Sequence, residues 1–511
     1  MPSSGAAAAD DHHGPGADGP RGNHRVAVAR RHADPAPSGT VLSSSINITN
    51  TILGAGMLAM PSAIAAVGLG LGIGLICLSA TASGTGLFLL SRVAAQVGRK
   101  SSFFACAKIT YPEAALWIDL AIAIKCFGVS VSYLVICGDL MPEVMQGLWG
   151  GALQSTDLLL SKQFWVTVSV IAIAPFSFLR RLDSLRYTSA FALMAVVYLV
   201  FVVLVFYVAP PESGMPFPRP EFAEIEWVKI SSDLFTALPV FVFAFTCHQN
   251  IFSVYNELVD NSAANIEKVI SGSILTSVGV YQTIAVIGYL TFGRNVTSNI
   301  IAMYPAGKLV TGGQFAIALL VLLSYPLQCH PARASLDKVL GQRAATTSAS
   351  AGLPPPLAAS GSSSSLLGPT GEIAAESDGE GDVRAEPGRI RGDDTPPSAL
   401  SAPPPPSAAR AAMSATRHTA ITTTLLVLSY FVAVAVHNLS TILAFVGATG
   451  STTIGYILPG LFYYRMRRNA RPPGAPLEPL EFVAVSLALF GIFIMITSLT
   501  TQFLGGVAGG H

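Results

Sequence analysis

Two glycines one residue apart, Gly54 and Gly56 of the stretch Asn50-Thr-Ile-Leu-Gly-Ala-Gly-Met-Leu-Ala-Met-Pro61, interrupt an apolar run from Val41 to Val67. The run is long enough to cross a bilayer, and the glycines weaken its helix near mid-depth. At that depth a broken helix is tolerated only where protein shields the backbone or a cavity lies beside it. A second apolar run, Asp233 to Glu257, is interrupted near its middle by the polar stretch Thr246-Cys-His-Gln-Asn250. The chemistry such breaks offer is ionic recognition by the backbone. Half-helix N-termini present free N–H groups and a positive dipole end to an anion. Freed carbonyls at half-helix C-termini hold an ammonium or a sodium ion. One site with both features suits a zwitterion, the α-carboxylate and α-amine of an amino acid. The plain alternative for Gly54-Ala55-Gly56 is close helix packing, the reading given to Gly70 and Gly74.

Two ionisable side chains stand at membrane depth. Lys125 interrupts Ala-Ile-Ala-Ile-Lys-Cys-Phe-Gly, and an intramembrane charge is costly and functional by default. It is open to three roles: filling a cation site, proton coupling, or an internal ion pair. Asp119, six residues earlier, lies about 240° around the helix and is not its same-face partner. Histidine as a residue type can change charge near neutral pH, which makes His248 a candidate proton site; a neutral, hydrogen-bonded histidine beside the unwound turn is the plainer role. Glu257 and Asp260 read as solvated or gate-pairing charges, and His330 and His437 as interfacial.

These residues need a membrane scaffold, and the composition supplies one. The 511 residues are 51% hydrophobic and 12% charged, with mean hydropathy +0.55; soluble chains carry about twice that charge. The net charge of +1 indicates no nucleic-acid partner. Windows of about 20 apolar residues give eleven expected spans: 41–66, 69–93, 113–138, 164–180, 187–209, 233–258, 267–291, 311–332, 418–437, 440–463 and 480–504. Basic residues cluster after spans 2, 4, 8 and 10 (Arg99, Arg180, Lys338 and Arg467 among them), on the side of the N-terminal tail. By the positive-inside rule that tail is cytoplasmic. The sequon Asn295-Val-Thr297 then falls on the opposite face, which fits glycosylation.

The tail, 1–40, lacks the apolar core of a signal peptide and is expected to be disordered and cytoplasmic. Its His12-His13 pair reads as linker. Residues 341–416, rich in Ala, Ser, Pro and Gly, cannot build a core and are expected to form a disordered cytosolic insert between helices 1–8 (41–340) and 9–11 (417–511). Cytosolic regulators acting through phosphorylation are one reading of it, and a tolerated insertion the blander one. The six cysteines show no disulfide framework and no CxxC pair.

Spans 1 and 6, the interrupted pair, open two sets of five, and an odd repeat length makes the second set enter the membrane in the opposite sense. Paired interruptions of this kind are the best sequence pointer to inverted repeats. The expected fold class is therefore an all-α polytopic membrane protein of about 11 transmembrane helices: a 5+5 inverted repeat with broken helices 1 and 6, plus one accessory helix.

The stretch from Asn50 to Pro61, together with Phe-Ala-Phe-Thr-Cys-His248, resembles the amino acid/auxin permease family of the amino acid–polyamine–organocation superfamily. Phe127-Gly128-x4-Tyr133-Leu and Gly138-Asp139-Leu-Met-Pro142 add to the likeness. The chain looks most like fungal vacuolar amino-acid transporters and animal sodium-coupled neutral amino-acid transporters. The resemblance implies a fold like that of the bacterial sodium–leucine symporter, with substrate between spans 1 and 6 and walls from spans 3, 8 and 10. It places Gly54, Ala55, Gly56 and Met57 at the carboxylate, and Phe243, Ala244, Phe245 and Thr246 at the amine and side chain. In sodium-coupled relatives the ion sites match Asn50 and Ser324 here, with Ser in place of the more usual Thr.

The function expected is secondary active transport of amino acids by alternating access, with a vacuolar membrane favoured over the plasma membrane. No enzyme chemistry and no cofactor is expected. The partners are an amino acid and the lipid bilayer. Protons are favoured over sodium as the coupling ion because of the vacuolar likeness, Ser324, His248 and Lys125. A sodium symporter and an amino-acid sensor using the same fold are the alternatives.

Overall fold

In a computed structural model, the described residues are 37–149, 157–179, 188–210, 217, 219–350, 413–436 and 438–508. Most of the N-terminal tail and insert, the Arg180–Arg186 cluster and His437 lie outside them. The first span is two helices, α1 (Val41–Ile52) and α2 (Gly56–Val67), bent by 54°. Thr40 starts α1 as a capping box: its hydroxyl accepts from the Ser43 N–H at 3.1 Å, and the Ser43 hydroxyl accepts from the Thr40 N–H at 2.9 Å. Then follow α3 (Leu69–Val97), the short α4 (Phe103–Thr110), α5 (Ala115–Trp149), α6 (Lys162–Ser177) and α7 (Thr188–Val208).

The second set opens on another broken pair, α8 (Asp233–Ala244) and α9 (His248–Glu257). It continues through α10 (Ala263–Phe292), α11 (Lys308–Ser350), α12 (Ala415–Ala435) and a last compound span. That span is α13 (Leu439–Val446), two wide π-helical turns at Gly447–Ser451 and Thr453–Ile457, and α14 (Leu458–Asn469). The accessory helix α15 (Pro479–Ala508) follows. The two broken helices run in opposite senses: Gly39, just before α1, is clipped to the far end of α9. Its N–H donates to the Glu257 carbonyl at 2.9 Å, and its own carbonyl accepts from the Val259 N–H at 3.0 Å. The Arg99 guanidinium caps the same end, donating to the carbonyls of Asn256, Leu258 and Val259 at 3.1, 2.9 and 2.8 Å.

Among the described residues, nine helices are long and apolar enough to cross a bilayer, or ten with the bent pair α1–α2. The fourth expected span is the exception. Its helix α6 has 16 residues and rises only about 24 Å, short of the roughly 30 Å hydrocarbon core. At the other extreme, α11 runs on to Ser350, ten residues into the 341–416 segment. Met194, Val197, Phe201 and Leu204 form an exposed apolar stripe on α7, and Leu489, Phe493 and Ile496 another on α15. Such stripes match a lipid surrounding. The centre is held by α5, which packs most extensively on α11 and also touches α6, α12 and α13. Helix α2 packs on α8, and α10 lies across α1, α2 and α3. The two breaks are thereby brought together inside the bundle.

Between α14 and α15, Glu478 accepts from Arg467 at 2.7 and 2.9 Å. That hydrogen bond holds its carboxyl below the usual carboxylate range. All six cysteines are unbridged.

Candidate functional site between the two helix breaks

The first break leaves two backbone donors without a backbone acceptor among the described residues. Leu53 donates back to the Thr49 carbonyl at 2.8 Å, and Gly54 makes a tight turn onto the Ile52 carbonyl at 2.8 Å. The N–H groups of Ala55 and Gly56, at the start of α2, have no backbone acceptor among the described residues. They are the orphan donors of a helix N-terminus. The second break is shorter than its polar sequence suggests. It covers Phe245, Thr246 and Cys247, while His248, Gln249 and Asn250 form the first turn of α9. Thr246 turns in place: its N–H donates to the Phe243 carbonyl at 3.0 Å, and its hydroxyl to the Val242 carbonyl at 2.7 Å.

Three side chains from elsewhere close these breaks. The Tyr281 hydroxyl of α10 donates to the Ile52 carbonyl at 2.5 Å and lies 3.0 Å from that of Ala244. One hydroxyl thus joins the C-terminal ends of both half-helices. Ser83 of α3 donates its hydroxyl to the Phe245 carbonyl at 2.7 Å, and its own carbonyl sits 3.2 Å from His248 Nε2. A carbonyl only accepts, so the hydrogen of that bond sits on Nε2; Nδ1 is buried without a partner. The Asn250 amide donates to the Thr51 hydroxyl at 2.7 Å, linking α9 to α1.

Between the breaks lies a small cavity of about 20 Å³, room for a water-sized guest but not for an amino acid. Its wall is Thr51, Ile52, Gly54, Ala55 and Gly56 from the first broken pair, and Phe243 and Thr246 from the second. Lys125, Val129 and Tyr133 come from α5 and Gln328 from α11. Spans 3 and 8 therefore wall the cavity; no residue of span 10 lines it. Of the expected substrate residues, Gly54, Ala55, Gly56, Phe243 and Thr246 reach it, and so does Lys125. Met57, Ala244 and Phe245 are buried behind it.

The expected ion residues scatter. His248 is fully buried in a slot made by two glycines: a Cβ on Gly86 would lie 2.7 Å from its Nε2, and one on Gly455 3.4 Å from its Cε1. Asn50 and Ser324 line no part of the cavity, and the Ser324 hydroxyl donates to the Leu320 carbonyl one turn back at 2.8 Å. Lys125 is 3% exposed, while Asp119 is taken by Lys338 at 2.9 Å and Ser335 at 3.3 Å.

Residues 37–504 match the model of the transmembrane amino acid transporter protein family. The chain belongs to this family. Being a transporter, it is an integral membrane protein and not an enzyme. Vacuolar amino acid transporter 5 of Schizosaccharomyces pombe is 36% identical over 475 residues, 89% of this chain and 93% of that one. Sodium-coupled neutral amino acid transporter 7 of Danio rerio is 27% identical over 297 residues, 57% of this chain and 62% of that one. Among solved structures, that of MhsT in complex with L-phenylalanine superposes over 92% of the transporter and 100% of its own chain. Its TM-score is 0.50 at 10% identity, a likeness of fold alone.

Sequence reasoning missed Tyr281, Gln328, Thr51 and Ser83 as contributors to the site. A signal existed for two of them. Tyr281-Gln282 is a polar pair in mid-span, and Gln328 stands one turn after Ser324, on the same face of α11.

Proposed function

We propose that this transporter moves an amino acid by alternating access, driven by protons, across a vacuolar membrane. The observation that carries the reading is the cavity between the two helix breaks. One wall offers the N–H groups of Ala55 and Gly56 at the positive end of α2, suited to an α-carboxylate. Residues at the C-terminal ends of α1 and α8 also line the cavity, and carbonyls at such ends suit an α-amine. Phe243 and Val129 supply apolar surface for part of a side chain. The cavity is too small for the ligand as it stands, so binding requires the broken helices to part, and they have a hinge at which to do so. At one end the bundle is shut by the Gly39 clip and the Arg99 cap. Opening that end and closing the other would pass the site from one face to the other.

The vacuolar setting follows the name of the Schizosaccharomyces pombe relative. Support for protons is that Lys125 lines the cavity, that His248 stands against the break, and that Ser324 turns its hydroxyl back onto its own helix. Sodium is the second reading, favoured by the name of the Danio rerio relative. Purified protein in liposomes separates them. Uptake of labelled amino acid that persists without sodium and collapses when the pH gradient is abolished is the expected result. Sodium-dependent uptake indifferent to the pH gradient refutes proton coupling, and binding without any flux refutes transport in favour of a sensor.

A further inference from the structure

Lys125 enters the cavity without a counter-charge. It is 97% buried, being 3% exposed, and lies on the same stripe of α5 as Val129 and Tyr133, four and eight residues on. Among the described residues it has no hydrogen bond and no ion pair. Of the three carboxylates that share its helix, Asp119 is engaged by Lys338 at 2.9 Å and Asp139 by Lys162 at 2.7 Å, while Glu143 lies about five turns further along α5. Among the described residues, no Asp or Glu lines the cavity. Nor does the root of the side chain have room to withdraw. A Cβ on Gly450, in the π turn behind α5, would stand 2.6 Å from Lys125 Cβ and 2.9 Å from its Cα. The lysine is thus wedged in place as part of the cavity wall, with no acidic partner among the described residues.

Charge bookkeeping then separates ligand classes. The helix ends at the two breaks complement both charges of a zwitterion, so an amino acid with a neutral side chain leaves the Lys125 charge buried and alone. Leaving one partner of a buried charge pair unmatched is heavily unfavourable. A second carboxylate on the ligand removes that penalty. Gln328, whose carboxamide oxygen is buried without a partner, can turn its amide N–H groups to the same carboxylate.

We propose that Lys125 is the counter-ion for a side-chain carboxylate of the ligand, so that the site selects acidic amino acids over their neutral amides. This rests on reading the cavity as the ligand site. Glutamate and glutamine are the natural probes, since they match in shape and differ by one charge. In proteoliposomes holding the full chain, glutamate is expected to compete for uptake at least roughly thirtyfold better than glutamine, the low end for an unpaired buried charge. In Lys125→Gln that ratio is expected to fall towards one.

A wild-type protein that handles the two equally overturns the assignment whatever the variant does. So does a Lys125→Gln protein in which both rates fall together and the ratio survives; that result would leave Lys125 a proton carrier or a structural group. If neither probe is carried while other amino acids are, this assignment falls and transport stands. If no amino acid is carried, the transport reading itself has failed.

Discussion

Gly54 and Gly56 sit two residues apart in the same break, and the structure gives them opposite neighbours. A Cβ on Gly54 would meet only the Tyr133 hydroxyl, at an ordinary 3.6 Å, and would project into the cavity. A Cβ on Gly56 would stand 2.9 Å from both Cα and Cβ of Ala244, so α2 and α8 would have to separate. Gly56→Ala is therefore an overpacking change of about 1–3 kcal/mol, expected to lower the melting temperature of the purified 511-residue protein by roughly 1–3 °C. Gly54→Ala adds no clash and removes a flexible residue, so stability is expected to hold or rise by up to about 1 kcal/mol.

Transport should respond differently. A methyl group nearly fills a cavity of about 20 Å³, and the same 1–3 kcal/mol of crowding set against the ligand raises KM about 5- to 150-fold. Thermal unfolding in detergent and labelled uptake in liposomes check the two halves separately. Equal loss of melting temperature in both variants, or an unchanged KM in Gly54→Ala, would refute the assignment of Gly54 to the ligand and of Gly56 to helix packing.

Two further outcomes follow from the contacts around the site. Tyr281→Phe removes the hydroxyl shared by the ends of α1 and α8 and is expected to destabilise the purified protein by about 1–3 kcal/mol, the penalty of a buried unsatisfied carbonyl; an unchanged melting temperature would show that the hydroxyl does not hold the breaks. Asp119→Asn unpairs Lys338, whose 27% exposed side chain softens the loss to about 1–3 kcal/mol. In a double-mutant cycle with Lys338→Met the two effects should be non-additive, and strict additivity would mean that the pair is not coupled.

The breaks were legible because they are local. A glycine pair in an apolar run, or five polar residues inside one, needs no knowledge of any other helix. The second break nevertheless shrank in the structure, from the polar stretch 246–250 to Phe245–Cys247. Polar residues in lipid interrupt hydropathy without unwinding backbone, and His248, Gln249 and Asn250 serve instead as the first turn of α9. What the sequence could not give was rotation. Tyr281 and Gln328 are visible as polar residues in spans 7 and 8, but a helical pattern without a partner leaves the face they present undetermined by a turn or more. The same limit hid the pairing of Asp119: helical geometry ruled out Lys125, and only the packing of α5 on α11 supplied Lys338.

Span 10 carries this argument furthest. No residue of it lines the cavity, yet three of its glycines set where the site residues stand. A Cβ on Gly447 would strike the backbone of Pro239 in α8. One on Gly450 would press on Lys125 in α5, and one on Gly455 on the ring of His248 in α9. Two π-helical turns, uncommon and often found at functional sites, bring these glycines round. The span works as a mould: by lacking side chains it lets three other helices approach, and so fixes the lysine, the histidine and the second broken pair against one another. A sequence shows that Gly447, Gly450 and Gly455 are small. It does not show what occupies the space they leave, and in this protein that occupant is the site.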